Sequence, residues 1–134
     1  MSQYERTRFR DLALNDRHRL WGRDCPATDV DDFLEYNHGK SAGLVEYKHE
    51  RAQATGDYNR MAFIDLANRA TLPAFEARYT EDFARWTITP LNASASLYLP
   101  PNMVMTETGW VRLLYRLRGY DDVPASVLRV LAAP

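Results

Sequence analysis

The stretch "TDVDDFLEYNHGKSAGLVEYKHE", residues 28–50, constrains the fold more than any other part of this chain. Two segments with alternating apolar residues flank "NHGK", in which the asparagine and the glycine suit a tight turn. This pattern predicts a β-hairpin with strands at about 28–36 and 42–48. The strands carry several carboxylates, which a hairpin does not need for its stability.

The register of the hairpin determines which charges meet. A two-residue loop places Asp31 opposite Glu46 and Asp29 opposite Lys48. Strand alternation then assigns the side chains to two faces. The first face holds Asp29, Asp31, Phe33, Leu44, Glu46 and Lys48, and the second holds Val30, Leu34, Val45 and Tyr47.

Two opposed carboxylates suggest a cation site. Their β-carbons lie about 4.5–5.5 Å apart, which is destabilising unless a cation is shared between them. Mg²⁺ prefers oxygen ligands and keeps several waters, so Asp31 and Glu46 are predicted metal ligands, with the backbone carbonyl of Tyr47 as a third. Lys48 lies two residues along the same face, where it could activate a water or offset phosphate charge. Together, the predicted metal ligands and Lys48 predict metal-assisted hydrolysis of a phosphodiester.

The rest of the chain predicts further helices and strands around this hairpin. Expected helices cover 2–19, 57–70 and 107–118, one more short helix is expected within 123–134, and strands lie within 73–79 and 83–91. Thr106 caps the third helix and Gly119 ends it. "ASASLYLPPN" is expected to be a loop. The expected buried residues of the second helix are Met61, Ile64, Leu66 and Ala67. These elements form one α/β domain over 1–134, a mixed sheet flanked by helices.

Composition narrows the class of protein. The net charge of −1 gives no global attraction to nucleic acid or membrane, so a polyanion would need a local basic surface. A single cysteine, Cys25, fits a reducing compartment. The first 20 residues lack a secretory signal, and no apolar run reaches the length of a membrane span. We therefore expect a cytoplasmic protein with no membrane contact.

The motif residues resemble a known superfamily. "TDVD" followed by "LVEYK" is similar to the PD-(D/E)xK motif of nucleases with the restriction-endonuclease-like fold. Glu46 and Lys48 match its E-x-K half, and Asp31 matches its upstream aspartate. No Pro-Asp dipeptide occurs, so Asp29 stays an alternative ligand, although the pairing favours Asp31.

The resemblance extends along the chain. "CPATDVD", "LVEYKHE" and "LLYRLRG" are similar to segments of small uncharacterised phage and bacterial proteins of this superfamily. It implies an αβββαβ core over 2–79, a Mg²⁺-dependent nuclease for which Mn²⁺ can substitute, DNA as the substrate, and a homodimer. It also suggests Glu5 on the first helix as a further catalytic residue. A capping box formed by Ser2 and Glu5 explains Glu5 equally well.

Arginines supply candidate contacts to the nucleic acid, because their planar fork suits phosphate oxygens. Arg112 and Arg116 are four residues apart on one predicted helix face. Arg6 and Arg10 have the same spacing on the first helix, and Gln53 follows the motif. Such residues are commonly only the solvated face of a helix. The rival hypothesis is a catalytically inactive nuclease-like domain that binds nucleic acid or a protein partner.

Overall fold

One mixed sheet of five strands organises the described part of the protein. The computed structural model describes residues 17, 20–23 and 32–133. Its strands are β1 Phe33–Asn37, β2 Lys40–His49, β3 Ala74–Tyr79, β4 Trp86–Pro90 and β5 Met103–Met105. Its helices are α1 Asp57–Arg69, α2 Ala93–Ser96, α3 Glu107–Leu117 and α4 Ala125–Ala132. The strands lie in sequence order; β2 and β3 are parallel, and the other neighbours are antiparallel. The prediction of a mixed sheet flanked by helices is confirmed.

The turn of the predicted hairpin is confirmed. Asn37 pairs with Lys40, so the loop has two residues. Those residues, His38 and Gly39, have φ angles of 50° and 84°. A type I′ turn requires positive φ at both central positions, and its twist matches that of the flanking strands.

Beyond the turn, the predicted register is wrong by one residue. Tyr36 faces Ser41, but Glu35 faces Gly43, so Ala42 is an extra residue in β2. This β-bulge shifts every later pair. The position opposite Glu46 becomes 32 instead of 31, and residue 32 forms a bend before the start of β1.

The bulge also changes which residues share a face. Phe33 lies opposite Val45 and its ring contacts that of Tyr47, with 4.9 Å between ring centroids. Leu34 lies opposite Leu44. The predicted faces of Phe33 and Leu34 are therefore exchanged, because a one-residue shift inverts a strand's side chains.

Each face of the sheet is covered by helices. One face packs against α3 through a large apolar cluster that includes Val45, Phe75, Ile88 and Trp110, all buried. The other face packs against α1 through a smaller cluster, formed by Leu44, Phe63, Ala67 and Ala74. The side chains of Glu46 and Lys48 alternate with those of Val45 and Tyr47, so they lie on the α1 face.

Helix α1 is confirmed to within one residue, but its predicted buried side is wrong in part. Ala67 is buried as expected and Ile64 is half-buried. Met61 and Leu66 are exposed, at 61 % and 43 %, and Phe63 is buried instead. Apolar residues occur on two sides of this helix, so periodicity alone does not choose between them.

The C-terminal third agrees with the prediction at α3 and departs from it before α3. Thr106 accepts a hydrogen bond from the amide of Gly109 and so caps α3, and Gly119, with φ of 89°, follows its end. The segment expected to be a loop contains α2, and β5 follows it. No helix of the described residues has the length and apolar character needed to cross a bilayer.

Candidate functional site

Glu46 and Glu76 are direct neighbours on the parallel strands β2 and β3. Both carboxylates project from the face that α1 covers, and Glu46 is 6 % exposed. Buried carboxylates are rare without partners, because desolvation of a charge is costly. The partners of these two side chains therefore determine what the site can do.

Glu46 is held by three neighbours. Thr55 Oγ1 and Arg60 Nη2 both donate hydrogen bonds of 2.8 Å to its Oε1. Lys48 Nζ lies 3.8 Å from the same oxygen. Among the described residues, none donates a hydrogen bond to Glu46 Oε2. Glu46 could therefore bind a further group through Oε2.

Arg60 joins the two carboxylates. Its Nη2 also donates to Glu76 Oε2, at 2.6 Å, so one nitrogen bridges residues from adjacent strands. The Nε of Arg60 is buried and has no hydrogen-bond acceptor among the described residues. Buried polar groups are nearly always hydrogen-bonded, so an unsatisfied Nε is unusual and calls for an explanation.

The charges of the site stabilise one another. Burial would lower the pKa of Arg60, but its hydrogen bonds to Glu76 and Glu46 and their charges raise that pKa above its ordinary value. Burial would raise the pKa of Glu76, but hydrogen bonds from Arg60 and Arg78 hold it below its ordinary value. Arg60 and Glu76 are therefore charged at neutral pH.

Basic side chains of the sheet fasten the loop that follows β2. Lys48 Nζ donates to the carbonyl of Gln53 at 3.3 Å. Arg78 donates through Nε to Glu76 at 3.0 Å and through Nη1 to the carbonyl of Ala52 at 2.8 Å. The loop and the first turn of α1 are thus attached to the strands that carry the carboxylates.

The structure brings together part of the predicted site. Glu46 and Lys48 are adjacent, and the carbonyl of Gln53, rather than its side chain, contacts Lys48. The predicted residues outside the described ranges are Glu5, Arg6, Arg10, Asp29 and Asp31. Nothing in the described register supports the predicted pairing of residue 31 with Glu46.

The carbonyl of Tyr47 faces away from Glu76. Leu44 and Glu50 donate their amides to the carbonyls of Pro73 and Tyr79, at 2.9 and 2.8 Å. Even-numbered residues of this segment therefore direct their backbone groups toward β3, and Tyr47 directs its own toward the β1 edge. A ligand set that includes this carbonyl would lie on the β1 side of Glu46.

Arg112 and Arg116 lie on the opposite side of the sheet from Glu46, because α3 covers the other face. Arg112 forms an exposed ion pair with Asp122 at 3.2 Å, and Arg116 lies over the ring of Tyr98. Their predicted contact with nucleic acid stays a prediction. A nucleic acid seated only at Glu46 would not reach them.

Sequence reasoning did not predict the contacts that four residues make at the site: Thr55, Arg60, Glu76 and Arg78. One signal was present, since Glu76 and Arg78 alternate with apolar residues in "AFEARY" and so share a polar face. The approach of Arg60 had no sequence signal, because it depends on how α1 crosses the sheet.

The donor chemistry fits a sparse Mg²⁺ site with Glu46 as one ligand. Mg²⁺ is usually bound by one or two carboxylates, with waters and substrate phosphates completing its shell. The described ranges contain no group of three or more His, Cys, Asp or Glu side chains that could hold a metal ion. The guanidinium of Arg60 is already ion-paired with both Glu46 and Glu76, so a cation would compete with it.

No protein-family model matches the chain, and neither a curated protein nor a solved structure is similar enough to count as a match. Only the residues of the site itself therefore indicate a function.

Proposed function

We propose that the chain is a Mg²⁺-dependent nuclease of the PD-(D/E)xK superfamily that hydrolyses phosphodiester bonds in DNA. The observation that carries the proposal is the Glu46–Lys48 pair, a buried carboxylate with an ammonium 3.8 Å away on the same strand face. This is the arrangement that an E-x-K motif needs, because both groups must act on one phosphate.

The element order supports the superfamily assignment. From β1 to β3 the described chain forms a hairpin, a helix and a strand parallel to β2. This matches the last four elements of the αβββαβ order that the sequence resemblance implies. The specific fold remains part of the proposal.

The roles of the residues follow from their surroundings. A bound Mg²⁺ would polarise the phosphate and lower the pKa of its water. Glu46 would hold it through Oε2, with Asp31 as the second carboxylate that the resemblance implies. Lys48 has a side chain that is 19 % exposed and a long 3.3 Å hydrogen bond, so its ammonium can turn to a phosphate oxygen. Thr55 keeps the other oxygen of Glu46 in place.

A second candidate function is a nuclease-like domain that binds nucleic acid or protein without cleaving it. One observation favours it: Arg60 forms ion pairs with Glu46 and Glu76 together, as a purely structural ion-pair network would. In that case the acidic pair would contribute to stability only.

Cleavage assays separate the two functions. Plasmid, linear and branched DNA would be incubated with the protein in Mg²⁺, Mn²⁺ or EDTA. We expect metal-dependent cleavage that falls at least about 100-fold in Glu46→Gln. Lys48→Ala should abolish cleavage while Mn²⁺ affinity is largely retained, because the role of lysine is at the water or phosphate.

Glu81→Gln is the matched control, since it makes the same chemical change at an exposed position between β3 and β4. It should cleave like the wild type. Equal rates for Glu46→Gln and the wild type would place the activity elsewhere. DNA binding without cleavage in any metal would favour the second candidate.

A further inference from the structure

The guanidinium of Arg60 lies between the carboxylates of Glu46 and Glu76 and contacts the same carboxylate that would bind a metal ion. Its Nη2 lies 2.8 Å from Glu46 Oε1 and 2.6 Å from Glu76 Oε2. One nitrogen of the guanidinium therefore lies where the two side chains converge. A divalent cation at Glu46 would meet both the repulsion of this group and its competition for the carboxylate.

Arg60 is not optimally bound in this position. Its buried Nε has no acceptor among the described residues, whereas all three guanidinium nitrogens of Arg118 donate hydrogen bonds elsewhere in the fold. An unsatisfied buried donor lowers the stability of the arrangement that contains it. Movement of Arg60 would relieve this cost.

Glu76 offers Arg60 a partner that does not depend on Glu46. Arg60 can release Glu46 and keep its hydrogen bond to Glu76, so its charge stays neutralised. Arg78 holds the other oxygen of Glu76 and ties it to the loop carbonyls, which keeps this carboxylate in place.

We propose, on the basis of the nuclease function above, that Arg60 regulates the cation site by competing with the divalent metal for Glu46, and that Glu76 retains Arg60 when the metal binds. Arg60 and Glu76 are then positioning residues. They set the metal affinity without serving as ligands.

Titration of Mn²⁺ alone into the full chain tests this, with calorimetry and metal-induced shifts in melting temperature as readouts. Arg60→Met should bind Mn²⁺ about tenfold more tightly than the wild type, because the competitor is gone. Arg69→Met is the matched control: it lies on the same helix in an exposed pair with Asp65. It should bind like the wild type.

Glu76→Gln should act in the opposite direction. Without its second partner, Arg60 would hold Glu46 more firmly, so Mn²⁺ affinity should fall about fivefold. In the Arg60→Met background, the same change should have no further effect. A further loss there would make Glu76 a ligand and overturn its assigned role.

Arg60→Lys is a second variant that keeps the proposal testable if Arg60→Met misfolds. It keeps the positive charge but loses the guanidinium fork. Its Mn²⁺ affinity should lie between those of the wild type and Arg60→Met. Wild-type affinity in Arg60→Lys and Arg60→Met, or no Mn²⁺ binding in any variant, would overturn the proposal. These results are separate from cleavage: variants that bind Mn²⁺ as expected but never cleave DNA would refute the nuclease function alone.

Discussion

The two faces of the sheet each carry a charged cluster, and the clusters differ in how completely their groups are paired. We name them the Glu35 cluster and the Glu46 cluster. The Glu35 cluster, on the α3 side, consists of Glu35, Tyr47, Trp110 and Arg118. The Glu46 cluster, on the α1 side, consists of Glu46, Lys48, Thr55, Arg60, Glu76 and Arg78.

The Glu35 cluster has one acid and one cation, and its hydrogen bonds are complete. Arg118 Nη2 donates to one oxygen of Glu35 at 2.7 Å, and the Tyr47 hydroxyl donates to the other at 3.0 Å. Trp110 Nε1 donates to the Tyr47 oxygen. Burial, together with the charge of Glu35, raises the pKa of Tyr47 above its usual range, so Tyr47 stays a donor. This cluster fastens β1, β2 and α3 together.

The Glu46 cluster contains more charged side chains than the Glu35 cluster, and they are less completely paired. Three cationic side chains surround two carboxylates, yet among the described residues Arg60 Nε has no acceptor and Glu46 Oε2 has no donor. The contrast shows that burial of charge alone does not identify a site. Incomplete pairing of buried charge is the better indicator of a candidate site, because it leaves groups with which a ligand can interact.

The largest expected effect is on folding stability, and it falls on the complete cluster. Arg118→Met leaves Glu35, whose side chain is only 12 % exposed, without its cation, which should lower the free energy of unfolding by about 3–5 kcal/mol. Arg60→Met should cost less, about 1.5–3 kcal/mol, because Glu46 keeps Thr55 and Glu76 keeps Arg78. Urea denaturation in EDTA at pH 7 measures both. Equal losses in the free energy of unfolding would mean that the two clusters contribute equally to the stability of the fold.

A smaller effect concerns the pH dependence of stability. Glu76 has a folded-state pKa below its ordinary value, so its stabilising contribution is present above the unfolded pKa, about 4.3, and is lost as pH falls through the folded pKa. Glu76→Gln should therefore cost about 1.5–3 kcal/mol at pH 7 and progressively less below about pH 4. Urea denaturation at several pH values measures the difference between variant and wild type.

The exposed pair of α1 provides the control for that measurement. Asp65→Asn breaks a surface ion pair whose side chains are 61 % and 80 % exposed, so it should change stability little at any pH. The free energies of unfolding of the wild type and Glu76→Gln could also differ by the same amount at every pH. That result would show that the stabilising contribution of Glu76 does not depend on its charge.

The smallest effect separates the two faces in DNA binding. Arg112→Ala combined with Arg116→Ala should reduce the slope of log affinity against log salt by about one per lost phosphate contact. Mn²⁺ affinity should stay at the wild-type level, because these residues lie across the sheet from Glu46. An unchanged salt slope would exclude this helix from the DNA interface.

Local patterns in the sequence determined much of the fold. The "NHGK" turn, helices α1 and α3, the Thr106 cap and the strands within 73–79 and 83–91 all follow from signals that span a few residues. The same is true of two residues of the candidate site. Glu46 and Lys48 share a face because side chains alternate along any strand, whatever the rest of the chain does.

Only the tertiary structure decided which groups meet Glu46. The bulge at Ala42 shifted the hairpin register, and such a shift depends on packing. At the next residue, Gly43, the β-carbon of any side chain would lie 3.3 Å from the carbonyl oxygen of Pro73. Glu76 became the neighbour of Glu46 through a parallel pairing 30 positions apart in sequence. Arg60 contacts both carboxylates because the side of α1 that contains residues 60, 63 and 67 faces the sheet. Contacts between distant segments depend on the packing of whole elements, and local periodicity contains no information about that packing.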